Sequence, residues 1–231
     1  MSLVAPKPYP FADIQADIRS WIFDLDDTLY SPELQLFQQV KTRITAYVKQ
    51  HYCQNCQATA DALQQDLRTR HHTTLAGLMA EHSVDPEHFM DYVHDIDISG
   101  LGYDAEIDQG LARLSGRKLI FTNASKKHAR RILAAAKIDH HFDFTYDIVA
   151  AGYRPKPEAA IYADFTRVTG VAPQSAVMID DTMVNLMPAS ALGIQTLWLT
   201  GRAEGKANNH QATPPYVQYT APDLKHFFAS I

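Results

Sequence analysis

The sequence predicts an α/β fold, a parallel sheet between two helical layers, interrupted near its start by an all-helical insert. From residue 107 onward short apolar runs alternate with helical patterns, which is how a parallel sheet covered on both faces is built. Between 31 and 99 the spacing is helical throughout, with no strand signal. Several apolar runs also stop at acidic or small polar residues, as strands do when they deliver side chains to the carboxyl edge of an open sheet.

The first strand is Trp21-Ile22-Phe23, and it runs into Asp24-Leu25-Asp26-Asp27-Thr28. Alternation along an extended chain predicts that Asp24 and Asp26 project to one side, toward the crevice. An ordinary strand-to-turn exit accounts for the same residues equally well. The insert opens at Ser31-Pro32, a reasonable helix entry, and residues 33–50 place Leu36, Val40, Ile44, Tyr47 and Val48 at helical spacing. Helical patterns continue over 59–70 and 74–82, and Asp85-Pro86-Glu87 restarts them with Phe89, Tyr92 and Val93 on one side. Gly100 and Gly102 suit a return hinge or a simple turn. A helix through Ala112, a strand at Leu119, a helix through Leu133, a strand near 145–149 and a helix over 158–168 follow. Strands at Val177 and 196–199, a polar loop over 201–215, and a short last strand and helix complete the chain.

Three more segments bear on chemistry. Lys118-Leu119-Ile120-Phe121 stops at Thr122-Asn123-Ala124-Ser125, where small side chains and backbone N–H groups before a helix make a plausible phosphate site. Ala176-Val177-Met178-Ile179 stops at Asp180 and Asp181, with Asn185 four residues after Asp181. Between them, Arg154-Pro155-Lys156-Pro157 holds one lysine in a stiff proline frame. Each has a bland explanation alone: a helix cap, surface acids, a solvated lysine.

Together, and in this order, they resemble the haloacid dehalogenase superfamily, whose pattern is Asp-x-Asp-x-Thr, Ser or Thr after a strand, Lys, then an acidic pair after another strand. Within it the chain looks most like the pyrimidine 5′-nucleotidase-type phosphatases, on Asp24-Leu25-Asp26-Asp27-Thr28-Leu29-Tyr30, Thr73-Thr74-Leu75-Ala76-Gly77-Leu78-Met79, Phe121-Thr122-Asn123-Ala124-Ser125 and Pro155-Lys156-Pro157. The resemblance implies a Rossmann-like three-layer core over residues 1–30 and 100–231 and a helical cap over 31–99 that sets specificity. It implies Asp24 as nucleophile, forming an aspartyl-phosphate, and Asp26 as the acid that protonates the leaving alcohol and then activates water. Proximity to other acids would favour the protonated form of Asp26. It implies Mg²⁺ held by the Asp24 carboxylate, the Asp26 backbone carbonyl and Asp181, with Asp180 acting through water. Thr122, the Asn123 N–H and Lys156 would hold the phosphoryl group. His71, Thr74 and Leu78 are the cap candidates for substrate contact; packing within the cap explains Leu75, Leu78 and Met79 as well.

The chain departs from that pattern in having His72 where relatives often have Gly, Asp180 where Glu is common, and Ala159 where a second Pro is common. None removes a catalytic group. Such a site answers a physical need, because an oxygen anion approaching a phosphate meets a repulsion of about 4 kcal/mol at ~4 Å and an effective dielectric of ~20. Lys156 and Mg²⁺ would cancel it. The expected activity is hydrolysis of small phosphomonoesters, pyrimidine nucleoside 5′-monophosphates first. The rivals are a phosphatase for a sugar phosphate or pyridoxal phosphate, a haloacid dehalogenase, and a non-catalytic binding or regulatory member.

Composition narrows the partners. With 21 basic and 26 acidic residues the formal charge is −5, which leaves no basic stripe for a nucleic-acid backbone. No apolar stretch approaches the ~20 residues of a membrane span, and the first ten residues are proline-rich without an apolar signal core. A cytoplasmic location and a small phosphorylated metabolite as partner are the expectations. Cys53 and Cys56 are spaced Cys-x-x-Cys with His71 and His72 following, but there is no second such pair, so the reading is two thiols one turn apart on a helix. Most of the eleven histidines are expected at the surface.

Overall fold

The computed structural model describes residues 17–201 and 213–231. The start of the chain and most of the predicted polar loop at 201–215 therefore lie outside the described residues. Among the described residues six strands form one parallel sheet: β1 (Ser20–Phe23), β2 (Arg117–Phe121), β3 (Phe144–Tyr146), β4 (Ala176–Asp180), β5 (Gln195–Leu199) and β6 (Tyr219–Ala221). Their order is β3-β2-β1-β4-β5-β6, with Ser20 level with Arg117 on one side and Ala176 on the other. The order reverses between β1 and β4, the place where open α/β sheets bind ligands.

The strands read as unbroken apolar runs because both faces are buried. Trp21, Phe23, Ile120, Val177 and Ile179 point to one face, against Ile107 and Leu111 of α5 (Ala105–Arg113), Ile132 of α6 (Lys126–Ala136) and Phe227 of α9 (Leu224–Ala229). Ile22, Leu119, Phe121 and Met178 point to the other, against Ile161 and Phe165 of α7 (Ala159–Thr169) and Ala189 of α8 (Leu186–Ala191). The period of two along each strand thus fills both sides of the three-layer core.

The insert is four helices: α1 (Leu36–Tyr52), α2 (Gln57–His71), α3 (Thr74–His82) and α4 (Pro86–Val93). Thr73 caps α3 by accepting the Ala76 N–H at 3.1 Å, and Asp85 caps α4 by accepting from Glu87 at 3.0 Å. A Cβ on Gly77 would lie 2.7 Å from Leu67 Cδ2, so the glycine in the Thr73–Met79 segment serves the close approach of α2 and α3. No helix among the described residues is long and apolar enough to cross a membrane.

Some expectations need correction. Cys53 ends α1 and Cys56 begins α2, so the two thiols flank an inter-helix turn rather than lying on one helix. The strand expected over 145–149 is Phe144–Tyr146, because Asp147 leaves the sheet to accept the Lys126 and Ala150 N–H groups. Ser31-Pro32 opens a 3₁₀ turn over Pro32–Leu34, and α1 starts only at Leu36. Gly100 and Gly102 have no positive φ, and a Cβ on either would meet nothing within 4 Å, so the turn they form does not require glycine.

Gly110 is different. A Cβ there would stand 2.1 Å from Cδ2 of the buried Phe228, where α5 crosses α9. Gly110→Ala therefore destabilises the protein by about 1–3 kcal/mol, overpacking outweighing the better helix propensity of alanine. Chemical denaturation checks this, and an unchanged or higher midpoint would contradict it.

Candidate active site

Asp24 follows the last residue of β1, and its N–H donates to the Ile179 carbonyl at 2.9 Å, extending the β1–β4 ladder by one step. The chain then turns: Leu29 N–H returns to the Leu25 carbonyl at 3.0 Å and Asp27 takes φ 56°. Strand alternation stops applying at this turn, and the two carboxylates acquire different partners. Asp24 Oδ1 lies 2.9 Å from Lys156 Nζ. Asp26 Oδ1 accepts from Tyr30 Oη at 2.6 Å and sits 3.0 Å from His128 Nε2.

Lys156 is buried and reaches three acceptors: Asp24, Asp180 Oδ2 at 2.9 Å and the Phe121 carbonyl at 2.8 Å. Its backbone is clamped by the Asn123 side chain, which accepts the Lys156 N–H at 2.7 Å and donates to the Lys156 carbonyl at 3.2 Å. Thr122 is also buried and its Oγ1 accepts the Ala124 N–H at 3.0 Å, which tightens the turn after β2.

At the end of β4, Asp180 is fully buried and saturated. Lys156, both contacts of the Asn185 amide at 3.1 Å and the Thr182 N–H at 2.8 Å fall on its two oxygens. The Asp181 N–H donates to Thr28 Oγ1 at 3.2 Å, and Trp198 Nε1 donates to the Asp181 carbonyl at 2.9 Å. Carboxylate oxygens of Asp24, Asp180 and Asp181 lie within 4.8 Å of one another. All-oxygen donors at this spacing suit a small hard divalent cation.

Charge in this cluster follows from burial and neighbours. Burial raises the Asp24 pKa well above the ordinary value, Asp180, Asp181 and Asp26 add to the rise, and Lys156 only partly offsets it. Burial alone would push the Lys156 ammonium down, but the Asp180 and Asp24 carboxylates outweigh it and hold it above its ordinary range. Asp26 contradicts the expectation that nearby acids would protonate it. Burial works in that direction, yet His128 and the Tyr30 hydrogen bond prevail and its pKa is lowered. His94 is pushed down to about 3 by burial and by His128, so its ring is neutral.

Two clefts border these residues. One, of about 550 Å³, runs between the insert and α6 and is lined by Arg43, Tyr92, His94, Ser125, His128 and Arg131. The other, of about 750 Å³, lies along Thr28, Tyr30, Asp181 and the turn at Gly100 and Gly102. The cap candidates line neither: Leu78 and Thr74 are buried within the insert, and His71 pairs with Glu81 at 2.6 Å beside Arg70. Arg154 pairs with Asp164 and Lys127 with Asp91, as surface charges do. Sequence reasoning missed His128, Tyr30 and His94. The signal for His128 was present, since 128, 129, 132, 133 and 136 make the buried stripe of α6 and a histidine in that stripe needs a partner.

The fold and this arrangement can be set beside known proteins. The chain is similar in structure to a HAD phosphatase from Thermococcus onnurineus (TM-score 0.59, 15% identity, 91% of this chain and 96% of that one). It is likewise similar to the magnesium-bound HAD hydrolase YfnB from Bacillus subtilis (0.57, 16%, 92% and 97%). A third similar structure is L-2-haloacid dehalogenase from Xanthobacter autotrophicus with chloropropionic acid covalently bound (0.54, 14%, 92% and 97%). At these identities the likeness is one of fold. No curated protein matches the chain. The model of the haloacid dehalogenase-like hydrolases matches residues 18–193, a span that begins just before β1, takes in the whole helical insert and ends beyond Asp180 and Asp181. By that match the chain belongs to the haloacid dehalogenase-like hydrolase family.

Proposed function

We propose that the protein is a Mg²⁺-dependent phosphomonoester hydrolase. The supporting observation is the convergence of Asp24, Asp180 and Asp181 on one point beside a buried lysine. Three carboxylates and one ammonium leave two formal negative charges in a buried site, which one divalent cation would cancel. Asp24, Asp181 and the Asp26 backbone carbonyl would hold it, with Asp180 acting through water, and when bound it supplies positive charge at the phosphoryl oxygens.

The chain's own groups divide the remaining work. An Asp24 oxygen forms the bond to phosphorus as the ester P–O bond breaks, and Asp26 gives a proton to the departing oxygen. Water then attacks phosphorus, its proton returns to Asp26, and the Asp24–phosphorus bond breaks. Lys156, Thr122 and the Asn123 N–H hold the phosphoryl oxygens, with Asn123 also fixing the Lys156 backbone. Asp26 enters as a paired carboxylate, and an arriving phosphate dianion is the charge that would raise its pKa for proton donation.

For the substrates we propose pyrimidine nucleoside 5′-monophosphates, whose leaving group is the nucleoside 5′-hydroxyl, on the resemblance of the four motifs. The test is phosphate release from UMP, CMP, AMP, pyridoxal phosphate and sugar phosphates, with Mg²⁺ or EDTA, and halide release from L-2-chloropropionate. Mg²⁺-dependent turnover of UMP and CMP is the expected result. Turnover confined to other esters would overturn the substrate, and halide release without phosphate release would overturn the reaction.

A further inference from the structure

The bonds that the described residues make to the Asp26 carboxylate both fall on one oxygen, Oδ1. Tyr30 Oη donates to it at 2.6 Å and His128 Nε2 lies 3.0 Å from it. The two donors come from opposite parts of the fold, the loop after β1 and the first turn of α6. A carboxylate oxygen with two donors has little capacity left for a proton, so a proton on this group belongs on Oδ2.

His128 is itself held on every side. Its side chain is fully buried, and its Nε2 faces a carboxylate oxygen that accepts, so Nε2 is the donor, while Nδ1 finds no partner. The ring stacks on that of His94 at 4.3 Å and 17°. His94 stands at the end of α4, in the segment that leads out of the insert, and α6 fastens this segment. Ser125 Oγ, the α6 cap, lies 3.2 Å from His94 Nδ1, and Arg131 donates to the carbonyls of His94 at 2.9 Å and Ile96 at 2.5 Å.

We propose that Tyr30 and His128 are positioning residues that hold Asp26 by Oδ1 and leave Oδ2 as the oxygen that carries the proton, with His94 of the insert keeping His128 in place. The proposal rests on the phosphohydrolase reading for its activity arm. It makes the docking of the helical insert a condition for a correctly aimed Asp26, since the stack is shared between insert and core.

The experiment uses aryl phosphates with Mg²⁺, from p-nitrophenyl, whose leaving group needs no proton, to p-methoxyphenyl, whose leaving group does. His128→Leu should lose kcat/KM by about threefold on the first and about a hundredfold on the last, within the range a general acid contributes. His128→Gln, which keeps an N–H donor near the Nε2 position, should recover most of the loss. Tyr30→Phe and His94→Ala should shift in the same sense but less. An equal loss across the series in a folded variant would overturn the proposal. Should the wild type cleave no ester, the phosphohydrolase reading falls, and the positioning is read without turnover. In ¹H–¹⁵N spectra His128 must then carry its proton on Nε2, with a resonance that moves in Asp26→Asn and His94→Ala. A His128 resonance indifferent to both would overturn it.

Discussion

Asp24→Asn is expected to abolish phosphate release, by on the order of 10⁴-fold or more, while making the metal-free protein more stable. The second half follows from linkage. Burial and three neighbouring carboxylates raise the Asp24 pKa above the ordinary 3.8. Between that value and the raised one, the native state binds more protons than the unfolded chain, so stability falls as pH rises through the window and the deficit is complete above it. Asparagine keeps the shape and can still accept from Lys156, but carries no charge. In EDTA at neutral pH the variant should therefore melt above the wild type, with the two curves converging in acid. Adding Mg²⁺ should stabilise the wild type more than the variant. Equal melting temperatures across pH, or a less stable variant in EDTA, would show that the acidic cluster carries no such strain.

Lys156→Met is expected to have the opposite signature: activity and stability lost together. The ammonium is the common partner of Asp24 and the fully buried Asp180, and both lose it at once. Removing one member of a buried ionic set and leaving the others uncompensated costs about 3–5 kcal/mol. In a domain of this size that lowers Tm by roughly 10 °C. Methionine fills similar volume, so the loss is electrostatic rather than a cavity effect, and Mg²⁺ should restore part of the stability but not the rate. A melting temperature within about 2 °C of wild type, by the same scale, would mean that the ammonium does not offset the buried carboxylates in the native protein.

Much of this was legible in the sequence, for a physical reason. A strand buried on both faces has to be an apolar run, so Ile22-Phe23, Ile120-Phe121 and Met178-Ile179 announce themselves, and the polar residues after them fall at the sheet's edge. The helical insert was legible because its apolar spacing never leaves 3.6. What was hidden is whatever depends on contacts across the chain. The Asp26 environment is set by a histidine 102 residues away, and the direction of its pKa shift reverses once that partner is known. Asn123 was read for its backbone N–H, yet its side chain holds Lys156 across 33 residues. His71, Thr74 and Leu78 were read toward substrate, with packing as the alternative for Leu78, whereas Thr74 and Leu78 are buried in the insert and His71 pairs with Glu81, tasks that leave the same letters in a sequence.

The strand that comes first among the described residues is one at the middle of the sheet. Ser20 pairs with Arg117 and with Ala176, so one side of β1 stays open until β2 has been made and the other until β4 has. Loop closure over such distances is slow, and meanwhile an apolar strand with two open edges invites pairing with other chains. Nascent chains ending before β4 would present that strand half-paired and would lack the acidic pair altogether. The carboxylate cluster can thus be completed only late in synthesis, and fragments that stop short of residue 176 should aggregate rather than show partial activity.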